Sequence, residues 1–325
     1  MKRFTCQCGQ NLYFDNSRCL ACGNSVGFDP ELGDIVNLDP AKQRQCQNGT
    51  DYNVCNWLVP QQEKKTLCTS CRITHITPDL SHEQNIRRWR ILEIAKRRLL
   101  YNLMQFNLSI AEDAAHGQPA LSFQFLEDQG SNPLVAETFV RTGHASGVIT
   151  INVTEADDVL REANRLMMNE AYRTPLGHCR HESGHYYYDR LIRGTDLEGV
   201  FRALFGDPDI DYEQALQDYY ANPPSHRPDD GYISNYAQSH PLEDWAECWA
   251  HYLHINDTLE TAASWGVMTL KRDHDDADQW LREWLELSVI LNEMNRSMGL
   301  ADAYPFTLTG AINAKLRFIN SVVGQ

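Results

Sequence analysis

The segment His181-Glu182-Ser183-Gly184-His185 constrains this chain more than any other, because that spelling has metal chemistry only where the backbone is helical. Residues four apart on an α-helix lie one turn above each other, so two imidazoles share a face and reach one ion while Glu182 projects beside it. The flanks agree. Thr174 offers a capping hydroxyl, Pro175 suits the first helical position and Gly194 offers a stop, which predicts a helix over 176–192 with the motif near its middle. Glycine inside a helix is less favourable than alanine by about 1 kcal/mol, so Gly184 predicts close packing or backbone approach at the site. With 12 His in 325 residues the string can also arise without function, so the choice turns on further ligands.

A catalytic zinc takes three protein ligands and keeps one open position. The extended pattern with a third histidine fails, because Tyr188 and Leu191 stand where glycine and histidine would be required. A glutamate from a second helix is the alternative. Ser239 to His254 predicts such a helix, opened by Pro241 and with Glu243 and Asp244 in its first turn, where the positive end of the dipole favours acids. Glu243 and Glu247 share a face. Glu243 is expected as the third ligand, and Glu247 as acceptor for the free ring N–H of a ligand histidine. Asp189, Asp196, Asp207 and Asp211 compete for the ligand role, and a solvated acidic face is the reading without function.

The helix pair resembles the gluzincin group of metallopeptidases, and Glu243-Asp244-Trp245-Ala246-Glu247 resembles the E-x-x-A-E segment of lethal-factor-type toxins. The whole chain is similar to a bacterial family of zinc-binding metallopeptidases carrying an N-terminal zinc ribbon. The likeness rests on the cysteine-rich start, Cys68-Thr69-Ser70-Cys71-Arg72, the run Tyr172 to His178, the HExxH segment and Ser239 to Asp244. It implies a zincin-like peptidase domain, α+β and mostly helical after a small sheet, with His181, His185 and Glu243 on a catalytic zinc and Glu182 as general base. In the lethal-factor-type pattern a tyrosine seven residues before the glutamate faces the metal. Tyr236 stands at that offset and is the candidate oxyanion donor, with Tyr232 and His240 as rivals. The strand predicted over Gly147–Val153 is the candidate edge for an added substrate strand.

Eight of the ten cysteines fall before residue 72. Cys6, Cys8, Cys19 and Cys22 form two close pairs, with Gly9 and Gly23 suited to the turns that follow, and predict one four-sulfur zinc site. Cys46, Cys55, Cys68 and Cys71 predict a second, resting mainly on the last two and on the family resemblance. Disulfides and an iron or iron–sulfur site are the alternatives. No apolar leader precedes Cys6, which favours a reducing cytoplasm and metal over disulfide.

The net charge of −15 opposes broad attraction to phosphate backbones, so a structural, substrate-presenting or protein-docking role is expected of the ribbons rather than nucleic-acid binding. The basic run Arg87 to Arg98 lies on a helix predicted over Ser81–Asn107, with a capping box between Ser81 and Gln84, and reads as a solvated face. No run approaches the roughly 20 apolar residues of a membrane span. Leu121–Leu126 alternates as a strand, Thr154–Glu170 predicts a helix, Asp207–Asp230 contains a loop, and 275–298 and 309–323 predict helices. The expected domains are a double ribbon over 1–76 and a peptidase over 77–325, holding one catalytic and two structural zinc ions and acting on a peptide or protein. A catalytically silent binding protein, or a hydrolase of another amide, are the competing functions.

Overall fold

In the computed structural model, which describes residues 1–161, 174–222, 224, 228–271 and 276–324, short strands interrupted by one long helix come first and the other long helices after, giving an α+β architecture that is mostly helical. Three two-stranded antiparallel ribbons open the chain: β1 (Phe4–Thr5) with β2 (Asn11–Leu12), β3 (Val26–Asp29) with β4 (Asp34–Asn37), and β5 (Gln43–Gln45) with β6 (Leu58–Pro60). Short helices α1 (Gln47–Tyr52) and α2 (Thr69–Arg72) lie among the cysteines, and the long helix α3 (Glu83–Gln105) follows. A four-stranded sheet has the order β7 (Thr74–Ile76), β8 (Ser122–Leu126), β10 (Val148–Asn152), β9 (Gly143–Ala145), parallel except for the last pair. Helices α4 (Pro175–Leu191), α5 (Glu198–Phe205), α6 (Tyr212–Ala221), α7 (Pro241–Ser264), α8 (Ala277–Ser297) and α9 (Gly310–Val323) complete the chain. Among the described residues no helix is long and apolar enough to cross a membrane.

The described residues group into two compact units, one of 1–161 with Thr174–Cys179 and one from Arg180 on. In the first, Phe14, Phe28, Trp57 and Tyr101 form an aromatic cluster in which α3 supplies Tyr101. The sheet contributes Phe123, Phe125, Ile149 and Ile151, all fully buried.

Three expectations need correction here. The basic run of α3 is not a solvated face: Arg88, Lys96 and Arg97 are buried, and Arg90 and Arg98 half-buried. Their charges are used internally. Lys96 Nζ donates to Ser70 O and Glu93 Oε1, each at 2.9 Å, Arg97 Nη1 donates to Val54 O at 2.6 Å, and Arg98 Nη2 donates to Asp15 Oδ2 at 2.5 Å. Of these acceptors all but Glu93 lie in the cysteine-rich segment, so α3 is fastened to the ribbons by these three cations, while Arg88 donates to Asp157 Oδ2 instead. Second, the capping box does not form. The helix is capped at His82 with no side-chain bond, because the Ser81 N–H is turned to Asp79 Oδ1. Third, the strand read as a substrate edge is interior: β10 pairs with β8 on one side and β9 on the other, so its backbone groups are already taken. Of the helix predicted over Thr154–Glu170, the stretch from 162 on lies outside the described residues, as does part of the 207–230 loop; its start is not α-helical, since Val153–Ala156 forms a 3-10 turn.

Candidate metal centres

The first eight cysteines converge in two groups of four, Cys6, Cys8, Cys19 and Cys22, then Cys46, Cys55, Cys68 and Cys71, each with its sulfurs within 4.8 Å of one another. Tetrahedral sulfurs about 2.3 Å from a zinc stand roughly 3.8 Å apart. The Cys6–Cys22 and Cys8–Cys19 separations are 3.7 Å and Cys55–Cys68 is 3.6 Å, the spacing of a zinc site and far beyond a disulfide bond. No disulfide joins the eight cysteines of these two groups. The groups differ in surroundings. Cys8 and Cys22 are exposed, whereas all four cysteines of the second group are buried. The second group also has Arg97 nearby: burial opposes its charge, but Cys55, Glu93, Asp15 and Cys71 more than compensate and hold its pKa above the usual value.

The third group is built by two helices. Thr174 caps α4, accepting from Gly177 N at 3.0 Å, and Pro175 occupies its first turn. His240 caps α7 with Nδ1 accepting from Leu242 N at 3.0 Å, and its Nε2 donates to Ile210 O at 3.2 Å. The helices meet where Gly184 lies against α7: a Cβ there would come 2.8 Å from Ala246 Cα and 3.2 Å from Trp249 Cβ. Trp245 Nε1 donates to Gly184 O at 2.8 Å and Trp249 Nε1 to Ser183 Oγ at 3.0 Å. One turn earlier in α4, Arg180 pairs with Asp257 at 2.7 Å and bonds His254. Positions rising along α4 meet positions falling along α7, so the helices run antiparallel.

That crossing brings His181, His185 and Glu243 together, their donor atoms within 4.8 Å of one another. His181 Nε2 lies 2.9 Å from Glu243 Oε2, and His185 Nε2 lies 3.3 Å from Glu243 Oε1. Nitrogen and oxygen donors about 2.0–2.2 Å from zinc stand roughly 3.4 Å apart, so two imidazoles and a carboxylate at these separations fit such an ion. His181 Nδ1 is 2.7 Å from Glu247 Oε1, one turn along α7. Burial pulls both imidazoles down, but bonds and charge from Glu243, joined by Glu247 at His181, reverse this and hold both above the ordinary histidine range. Burial would raise Glu243, which is only 1% exposed, yet His185 and His181 hold it well below the usual carboxylate range.

Glu182 is buried, and its charge acts on both His185 and Tyr236. Tyr236 begins the 3-10 turn Tyr236–Ser239, half-buried, its ring centroid 5.8 Å from that of His181. Burial and the nearby carboxylates push its phenol well above the usual tyrosine value, so it stays protonated. Its rivals are engaged elsewhere. His240 is the helix cap, and the Tyr232 ring lies 4.7 Å from Lys315 Nζ. The competing aspartates also stand apart: Asp189 pairs with Arg193, Asp207 with Arg202, Asp211 caps α6, and Asp196 is exposed. His178, three residues before His181, faces Glu155 at 3.4 Å, and His251 Nδ1 bonds the Tyr304 hydroxyl at 2.8 Å.

Tyr212 is a site residue that the sequence did not reveal. It opens α6, and its hydroxyl donates to Glu243 Oε1 at 2.5 Å across 31 positions of chain. No local spacing marks such a pair.

A family model described as "Putative zinc-binding metallo-peptidase" matches residues 85–322, and a zinc-ribbon domain model matches residues 3–82. Proteins of Mycobacterium tuberculosis and Mycobacterium bovis, both described as uncharacterized, are 42% identical to this chain over 338 residues, which cover 100% of it and 96% of each of them. No solved structure gives a significant match.

Proposed function

Since the chain belongs to this zinc-binding metallopeptidase family and carries its zinc ribbon in front, we propose that it is a zinc-dependent peptidase of gluzincin type with a zincin-like catalytic fold. The observation that carries the proposal is the meeting of His181, His185 and Glu243 from two antiparallel helices, at separations that suit one ion. In this reading those three side chains hold a catalytic zinc, and each group of four cysteines holds a structural one. The residues divide functionally into a ribbon segment over 1–76 and a peptidase segment over 77–325. Thiols grouped for metal rather than joined as disulfides suit a reducing compartment such as the cytoplasm.

Zinc bound there would acidify water and polarise a scissile carbonyl. The chain's own residues do the rest. Glu247 accepts the Nδ1 proton of His181, which fixes the tautomer and leaves the Nε2 lone pair for the metal. Glu182 takes a proton at its carboxylate and returns it to the leaving nitrogen as the peptide bond breaks. The Tyr236 phenol, held un-ionised, donates a hydrogen bond where negative charge gathers on the carbonyl oxygen.

Zinc counting combined with turnover of a peptide library tests the proposal. Wild type should hold about three zinc ions and His181→Ala about two, while Glu182→Gln keeps all of its metal and loses turnover by a factor on the order of 100 or more. Two zinc ions in wild type, or full turnover by Glu182→Gln, would refute it.

A further inference from the structure

Among the described residues, Glu243 is approached by His181 Nε2 at its Oε2, 2.9 Å away, then His185 Nε2 at its Oε1, 3.3 Å away, and third the Tyr212 hydroxyl, also at Oε1, 2.5 Å away. The first two belong to the metal centre. The third comes from a different helix and reaches inward from the surface, since Tyr212 is 37% exposed and Glu243 1%. The ring does not swing freely. Asp211 accepts from Gln214 N and sets the start of α6, Ile210 O accepts from the His240 ring, and the Tyr212 and His240 ring centroids lie 5.0 Å apart. His240 in turn caps the helix that carries Glu243. The start of α6 and the start of α7 are thus tied together twice, through Ile210 with His240 and through Tyr212 with Glu243.

We propose that Tyr212 is a positioning residue of the metal centre: its hydroxyl engages Glu243 Oε1 and fixes the carboxylate so that Oε2 is the oxygen left for the ion. The inference rests on the reading of His181, His185 and Glu243 as zinc ligands. Its physical content is a choice between two binding modes. A carboxylate free to turn can grip an ion with both oxygens and fill the corner that water and a substrate carbonyl need. A donor held on one oxygen occupies a lone pair there and weakens that oxygen as a ligand. The ring of Tyr212 supplies neither effect; only its O–H does.

Tyr212→Phe therefore removes the function and leaves the packing against His240. The test uses full-length protein loaded with cadmium-113 and read by cadmium NMR, in which a nitrogen–oxygen site resonates far from four-sulfur sites. Tyr212→Phe should melt with wild type and keep both four-sulfur signals. Its nitrogen–oxygen signal should move, and a competing chelator should take that cadmium about 10-fold more readily. Tyr220→Phe, which alters a tyrosine 50% exposed on the same helix, should leave all three signals in place. An unmoved nitrogen–oxygen signal and unchanged chelator competition in Tyr212→Phe overturn the inference alone. Absence of that signal from wild type overturns the zinc-ligand reading beneath it.

Discussion

Gly184→Ala is the sharpest test of how the two metal helices are held. The added Cβ would stand 2.8 Å from Ala246 Cα, 3.2 Å from Trp249 Cβ and 3.3 Å from Ala246 Cβ. Carbon atoms settle at about 3.5–4.0 Å, so α7 has to retreat by about 1 Å. The obstacle is mainly backbone, and no rotamer change relieves it. Stability should fall by about 0–2 kcal/mol, because alanine gains about 1 kcal/mol of helix propensity while overpacking costs about 1–3 kcal/mol. The site is far less tolerant. The same retreat lengthens the 2.9 Å and 3.3 Å separations between the histidines and Glu243, and a misplacement of about 1 Å costs on the order of 100-fold in rate. The assay pairs zinc content after gel filtration with kcat/KM and thermal melting. Gly199→Ala serves as control, since nothing lies within 4 Å of its Cβ position and it sits in α5; it should be neutral or stabilising by up to about 1 kcal/mol. If Gly184→Ala keeps full zinc and turns over within about twofold of wild type, the close crossing does not position the ligands.

Other outcomes follow from buried charge. Lys315→Met leaves Asp244, fully buried, without the ammonium 2.5 Å away, and denaturant melts should show a loss of about 3–5 kcal/mol. Pairing it with Asp244→Asn should restore part of that loss. His251 is buried and its pKa is depressed to about 4, chiefly by burial. Its neutral form is therefore the stable one: this contribution is complete above about pH 6.5, where the unfolded histidine is also neutral, and drains away as the pH falls to about 4, by about 3 kcal/mol. His251→Gln should flatten stability against pH over that window; an unchanged slope would sink the assignment. Arg97→Met removes the buried cation beside the second cysteine group, and a colorimetric chelator should then draw zinc faster from that group than from the same group in wild type.

What the sequence disclosed was local. The i, i+4 spacings of His181 with His185 and Glu243 with Glu247 state which faces they occupy, and the structure turns those two faces toward each other. Gly184 carried a signal of close approach because glycine has a helical cost that something must offset, and Ala246 is what it meets. Cysteine pairs two or three residues apart likewise announce their turns. What stayed hidden was tertiary. The basic residues of α3 looked like a solvated face because periodicity describes one helix and not what surrounds it; Val54 and Ser70 accept their protons from outside any local window. The branched residues of β10 identified a strand but not its neighbours, and so misplaced it at an edge. Tyr212 has no relation to Glu243 in sequence, and only the folded path of α6 brings its hydroxyl there.

Lys96 and Arg97 also bear on how such a chain can be divided. The two family models part near residue 83, yet both cations donate to carbonyls of the ribbon segment from α3, which lies almost wholly in the stretch that the metallopeptidase model matches. Trading the ribbon for an unrelated one would take away the carbonyls to which these two buried cations donate and leave them with Glu93, 2.9 Å from Lys96 and 3.9 Å from Arg97. The border between the two family models therefore does not fall at a break in the bonding, and exchanging the ribbon segment alone is expected to cost stability.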